Sequence, residues 1–371
     1  MDFEIKKSYE SLQDEVSRNI FENRLLYSLT ENYDFTGEIL EGTLFDTYSK
    51  HNKFIDNVIL ANYPQYASAK DEVNSFLLSQ NKKVIVYGLS ALCTSFVQMC
   101  DQVNIAAFCD KNTQKQTSTY LGREVISPEE LKNNYQDSFV VVTVLKDINN
   151  ADILNGLLDS GFSRNQILIL KDYLVSHGMS NLFSSYFERG IISIQPGDVF
   201  VDAGCYDGQD TIQFMMHCNN EHAKTLAFEP NPLLYTNCVQ NLKNARATTV
   251  YPYGLWSETA ELALGNLGPN SRVLQDPNEN VFKIKTVKLD DILNGENVSY
   301  IKMDIEAAEL NALKGAEQTV LKHRPRLAIS VYHKPEDIWE LPNYILSLQS
   351  DYKLYLRHYS LYQSETVLYA V

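Results

Sequence analysis

The chain has 371 residues, 44% of them hydrophobic, and its 47 acidic and 32 basic side chains leave a formal charge of -15. That length allows two or three domains, each able to bury a core, and the even spread of apolar residues excludes a long disordered protein. Without a cluster of Lys and Arg, the acidity argues against nucleic acid as a partner, because phosphate contacts need concentrated positive charge.

No stretch reaches membrane-spanning length, and the N-terminus lacks the basic-then-apolar order of a signal peptide. Cys93, Cys100, Cys109, Cys205, Cys218 and Cys238 show neither a C-x-x-C pair nor zinc spacing. Scattered thiols of this kind suit a reducing, cytoplasmic compartment.

Residues 1–80 carry helical apolar spacing, clearest at 20–29 and 54–60, and no chemistry. This segment is expected to be a cap, an interdomain brace or a homodimer surface. Residues 81–172 then read as a small Rossmann-like α/β domain. Its strands are expected at 83–87, Ile105–Cys109, 139–144 and 166–170, with a strand-then-helix return across 122–131. Gly88 and Asp110 have the spacing of a dinucleotide turn and its ribose-binding acid. Ser90 and Cys93 occupy the second and third glycine positions of that fingerprint, so a scaffold role is favoured over nucleotide binding. The stretch loosely resembles the Rossmann-like domains placed before sugar-modifying enzymes.

Residues 173–371 read as a second α/β domain with strands at 199–201, 225–228, Thr248–Tyr251, Tyr300–Met303 and 326–331. Two final apolar segments, 352–359 and 365–369, are joined by a link too short for a crossover helix and should pair antiparallel. A doubly wound, mostly parallel seven-stranded sheet ending in such a hairpin is associated with S-adenosylmethionine-dependent methyltransferases. In Asp202-Ala-Gly-Cys-Tyr-Asp-Gly208 the glycine spacing lacks the second glycine of a dinucleotide loop, which suits a cofactor with no pyrophosphate. Asp202, Gly204, Tyr206 and Gly208 are therefore expected around a methionine tail. Glu229, with Pro230 and Asn231 beside it at the next strand end, is expected to accept the ribose hydroxyls. Leu255 and Trp256 are candidates to flank the adenine.

Together with Ile301-Lys-Met-Asp-Ile-Glu-Ala-Ala-Glu-Leu310, these motifs resemble the FkbM-type methyltransferases over about residues 196–371. The resemblance implies S-adenosylmethionine as cofactor and a hydroxyl oxygen as methyl acceptor. Ala307 stands where the family pattern usually has glycine, and a positive φ there would cost alanine about 1 kcal/mol.

Methyl transfer to an alcohol needs positioning and a base. His333, at the fifth strand's end, is the first choice for that base and Asp304 the second. Asp304 and Glu306 would share a face as cation ligands only if the strand ran through both, so no metal is expected. Glu306, Tyr332, Arg357 and His358 are candidate substrate contacts. Ser271 and Arg272 join them, in a turn-rich segment expected to act as a lid. The expected function is an O-methyltransferase acting on a sugar hydroxyl of a nucleotide-sugar, glycan or surface polysaccharide precursor. The alternatives are a non-catalytic cofactor-binding or assembly protein and a nucleotide-sugar oxidoreductase using the first α/β domain.

Overall fold

The computed structural model describes residues 2–30, 57–100, 102–145, 147–183, 185–265, 272–273, 281–293, 295–361 and 364–371. The chain divides into two compact units, one of residues 1–37, 184–359 and 364–371, the other of residues 38–183 and 360–363.

In the second of these units, β1 (Val84–Tyr87), β2 (Ile105–Cys109), β3 (Thr119–Tyr120), β4 (Arg123–Ile126), β5 (Phe139–Val142) and β6 (Ile167–Ile169) form one sheet in the order β3-β4-β2-β1-β5-β6. β1 and β5 are buried along their whole length, as parallel strands covered on both faces require. Helices fill both faces. The helix Tyr66–Ser79 contributes Ala69, Val73 and Leu77 to one core, while Leu131, Ile153 and Leu157 pack in the other. The return expected at 122–131 is β4 followed by the helix Pro128–Asn134. Ser127 and Glu130 close its first turn as a reciprocal capping box.

The other unit has a seven-stranded sheet ordered β16-β17-β15-β14-β7-β8-β9. Its members are β7 (Val199–Ala203), β8 (Lys224–Phe228), β9 (Thr248–Tyr251), β14 (Tyr300–Met303), β15 (Arg326–Ser330), β16 (Leu354–His358) and β17 (Thr366–Ala370). β9, β8, β7, β14 and β15 run parallel. β17 inserts antiparallel between β15 and β16, which makes the closing hairpin. The order reverses between β7 and β14, and the crevice at that switch point, outside the strands' carboxyl ends, is where open α/β sheets bind ligands.

Between β9 and β14 lies a second, four-stranded sheet: β10 (Gly254–Leu255), β11 (Ala260–Gly265), β12 (Arg272–Val273) and β13 (Val281–Val287), ordered β10-β13-β11-β12. The sequence reading missed it, because turn-forming residues at 265–271 masked the alternation of Lys283, Ile284, Lys285 and Thr286. Ser271 lies outside the described residues. Arg272 belongs to β12, opposite Gly265 of β11.

The N-terminal segment divides between the units. The helices Asp2–Ser11 and Glu15–Thr30 belong with the seven-stranded sheet, where Leu12, Ile20 and Phe21 are buried. Ser8 donates to the Trp339 carbonyl, and the Leu356 amide donates to Ser17 Oγ at 2.9 Å.

Candidate functional site

Three strand ends converge. β7 runs into Gly204, which has φ +77°, and a Cβ there would lie 1.9 Å from the Asp304 carbonyl oxygen beyond β14. Only glycine lets the two loops approach so closely. The amides of Gly204 and Cys205 both donate to the Phe228 carbonyl at the end of β8, each at 3.0 Å. Gly208, φ +84°, opens the helix Gln209–His217, and a Cβ there would press on Leu242 at 2.8 Å. Cys205 Sγ lies 3.2 Å from Cys238 Sγ, and both thiols are buried.

Glu229 leaves β8 with its carboxylate fixed from two sides. Oε2 accepts from the Tyr206 amide at 3.1 Å and Oε1 from the Asn231 amide at 2.9 Å. Each oxygen keeps capacity for a further hydrogen bond. Burial raises the Glu229 pKa, and the two amides and the Lys302 charge work against that rise. Asn231 caps the helix Pro232–Asn241 by accepting from the Leu233 amide, with Pro232 at the helix's first position.

Lys302, in the middle of β14, is 1% exposed, and its Nζ lies 3.1 Å from Asp202 Oδ1, 3.1 Å from Asp210 Oδ2 and 2.8 Å from the Gly204 carbonyl. Burial opposes its charge, but Asp202, Asp210 and Asp304 outweigh that and hold its pKa well above the ordinary lysine value. Asp202 also accepts from Thr211 Oγ1 at 2.7 Å. It is fully buried behind the Gly204 loop, so it positions that loop and does not line the cavity. The sequence reading passed over Lys302, although a lysine between Ile301 and Met303 in a strand buried on both faces has to find a buried anion.

Beyond β14, Asp304 accepts from Tyr186 Oη at Oδ2 (2.8 Å) and from Tyr332 Oη at Oδ1 (3.1 Å). The His333 ring bridges Glu309, with Nδ1 2.9 Å from its Oε1, and Asp304, with Nε2 3.3 Å from its Oδ1. Glu306 Oε2 is 3.6 Å from the same Nε2. Burial disfavours the imidazolium, yet Glu309, Asp304 and Glu306 together push the His333 pKa up to about 10. Burial likewise works to raise the Asp304 pKa, and the charges of His333 and Lys302 and the two tyrosine hydroxyls hold it below the ordinary value. His333 is therefore charged at neutral pH, a different state from the neutral base expected of it. Glu306 and Ala307 both have positive φ, 54° and 75°, so the turn does demand at Ala307 the conformation that favours glycine.

These groups frame a cavity of about 160 Å³. Of the expected residues, Gly204, Tyr206, Glu229, Pro230, Asn231, Leu255, Trp256, Asp304 and Glu306 line it. Leu234, Tyr253, Ile284 and Thr286 line it too, the last two supplied by β13, which the sequence reading did not foresee. Gly208, His333 and Tyr332 stand behind this lining. Arg357 and His358 are not brought there. The Arg357 guanidinium pairs with Asp14 at 2.7 Å and reaches Ser17, and His358 is buried with Nδ1 2.8 Å from Thr366 Oγ1. Both lie on β16 at the hairpin edge, three strands from the switch point.

In the other unit, the Asp110 carboxylate is occupied by its own chain. It accepts from the Leu89 amide at 2.9 Å and pairs with Lys115 at 3.2 Å. Ser90 caps the helix Ala91–Met99 and donates to the Thr143 carbonyl.

Residues 202–356 match the family model described as the Methyltransferase FkbM domain. This part of the chain is an FkbM methyltransferase domain. Residues 80–168 match the model described as C2185-like, N-terminal. No match is found among curated proteins. Similar solved structures include a methyltransferase FkbM from Methylobacillus flagellatus, at 19% identity over 82% of this chain and 98% of that one, TM-score 0.46. Others are Aeropyrum pernix fibrillarin with bound S-adenosyl-L-methionine (10% identity, 48% of this chain and 69% of that one, TM-score 0.33) and a putative methyltransferase from Streptococcus mutans in complex with SAH (14%, 53% and 97%, TM-score 0.31). The FkbM domain holds the convergent loops, Lys302 and the Asp304–His333 cluster. Among the described residues no helix is long and apolar enough to cross a membrane.

Proposed function

We propose that the protein is an S-adenosylmethionine-dependent O-methyltransferase acting on a sugar hydroxyl of a nucleotide-sugar, glycan or surface polysaccharide precursor. The observation that carries this reading is the convergence of Gly204, Glu229 and Asp304 on one cavity at the switch point of an FkbM methyltransferase sheet. The residues suit the cofactor: the two Glu229 oxygens are set to take two ribose hydroxyls, and Leu234, Leu255 and Trp256 offer apolar surface to an adenine. S-adenosylmethionine supplies a methyl group on a sulfonium, whose charge vanishes on transfer.

The acceptor hydroxyl lies against Asp304 and Glu306. As its oxygen bonds to the methyl carbon, the carbon–sulfur bond breaks and the hydroxyl proton passes to this carboxylate edge. His333, held charged by three carboxylates, keeps Asp304 ionised and acts as a positioning residue. Tyr206, Tyr253 and Trp256 present rings to a sugar at the cavity mouth. The first α/β domain serves as a scaffold, and a homodimer through the N-terminal helices, where Phe3 and Leu26 are exposed, completes the proposed assembly. The six cysteines are free and buried, which supports a cytoplasmic setting.

Isothermal titration with S-adenosylmethionine and with NAD tests the cofactor. S-adenosylmethionine should bind, and Glu229→Ala should weaken it at least tenfold; binding of NAD alone would end the reading. A panel of nucleotide sugars, scored by release of S-adenosylhomocysteine and by mass, then tests the acceptor class.

A further inference from the structure

Behind the cavity wall, two polar atoms are buried with no hydrogen-bond partner: His333 Nε2 and Glu309 Oε2. The His333 side chain is 7% exposed and that of Glu309 fully buried. Such groups rarely stay unmatched in a dry interior. Both belong to one cluster, in which ligand atoms of Asp304, Glu309 and His333 all lie within 4.8 Å of one another, a span that a single cation bridges.

We propose that this cluster is a divalent-cation site, in which the metal displaces the Nε2 proton that His333 carries in its absence. Glu309 Oε1 faces Nδ1 of the ring, which fixes the imidazole's orientation and turns Nε2 toward Asp304 Oδ1, 3.3 Å away. A buried carboxylate on one ring nitrogen and an open position at the other is the arrangement that presents histidine to a metal. Asp304 is in turn oriented by the hydroxyls of Tyr186 and Tyr332. The Ile305 amide donates to Glu309 Oε1 at 3.0 Å, which ties that carboxylate to the same turn. One imidazole with carboxylates suits Mn²⁺, Fe²⁺ or Zn²⁺ better than an all-oxygen shell would.

The positive φ of Glu306 and Ala307 is explained by this site. The turn that they make after Asp304 leaves Glu306 Oε2 3.6 Å from His333 Nε2 at the cavity wall. The cation sits between the buried cluster and the acceptor, binds an acceptor oxygen and makes it more acidic, while Glu306 takes the proton. A substrate offering two neighbouring oxygens, such as a vicinal diol, is the class best held. The inference rests on the cavity being the methyl-transfer site.

The experiment uses full-length protein stripped of metal by a chelator that is then removed. Titration with Mn²⁺, followed by electron paramagnetic resonance of the free ion, should give one site per chain. His333→Gln and Glu309→Gln should each lower Mn²⁺ affinity about 10-fold to 100-fold, with the fold checked by circular dichroism and tryptophan fluorescence. The variants keep the acidic surface, so unchanged binding in a folded variant means adventitious surface binding and overturns the site, as does no binding by wild type. S-adenosylmethionine affinity is measured in parallel without metal. If it binds and Mn²⁺ does not, the cation site falls and the methyltransferase reading stands; Mn²⁺ bound without it reverses that outcome.

Discussion

Replacing Lys302 by methionine removes the one buried cation that Asp202, Asp210 and the Gly204 carbonyl share, all within 3.1 Å of its Nζ. Methionine fills much of the volume, so the loss is electrostatic. Breaking one side of a buried ion pair costs about 3–5 kcal/mol, because the remaining charge stays desolvated, and Asp202 is fully buried with Thr211, among the described residues, left to answer it. Both tryptophans, Trp256 and Trp339, lie in the methyltransferase unit. Urea unfolding followed by their fluorescence therefore reports this unit alone. Lys302→Met should lower its unfolding free energy by about 3–5 kcal/mol, and adding Asp202→Asn should restore about 1–3 kcal/mol, as coupled partners do. A loss below about 1 kcal/mol, or no recovery in the double variant, would refute the claim that this pair anchors the loop.

Ala307→Gly relieves a left-handed residue costing about 1–2 kcal/mol and gives back about 0.4–1 kcal/mol through the unfolded chain. The same urea assay should show a net gain of about 0.5–1 kcal/mol, and a loss would mean that the turn does not hold that φ in solution. Asp337 titrates at about 7, raised first by burial and then by the charge of Glu309. A raised folded value means that its contribution is fully present below the unfolded carboxylate range and lost as pH rises through 7. Asp337→Asn should accordingly be more stable than wild type at pH 8 and level with it near pH 4. A difference between the two that does not change with pH would count against this assignment.

Strands with uninterrupted apolar runs were legible in the sequence, because burial on both faces leaves no other composition for β1 and β5. So was the hairpin, whose short link allows only one pairing. β11 to β13 were not, since an edge sheet of alternating Lys and apolar residues is broken by a turn-rich insert that drew attention as a lid. That Glu229 and Asp304 would face one cavity was legible from their positions at strand ends. Arg357 and His358 were expected at the cavity and do not line it, because the end of a strand was read as its mouth without asking which edge of the sheet it occupied. Tyr186 gave no signal at all, as its role depends on a left-handed residue (φ 72°) in a stretch without periodicity.

The close approach of Gly204 to the Asp304 carbonyl has an evolutionary consequence. With 1.9 Å available to a Cβ, no side chain enters at position 204 unless the turn after β14 retreats, and that turn carries Asp304, Glu306 and Ala307. Drift in one loop is therefore closed off unless the other changes at the same time. Lineages of this domain should exchange the two segments as a block, and chimeras that swap only one of them should fail to fold at the crevice.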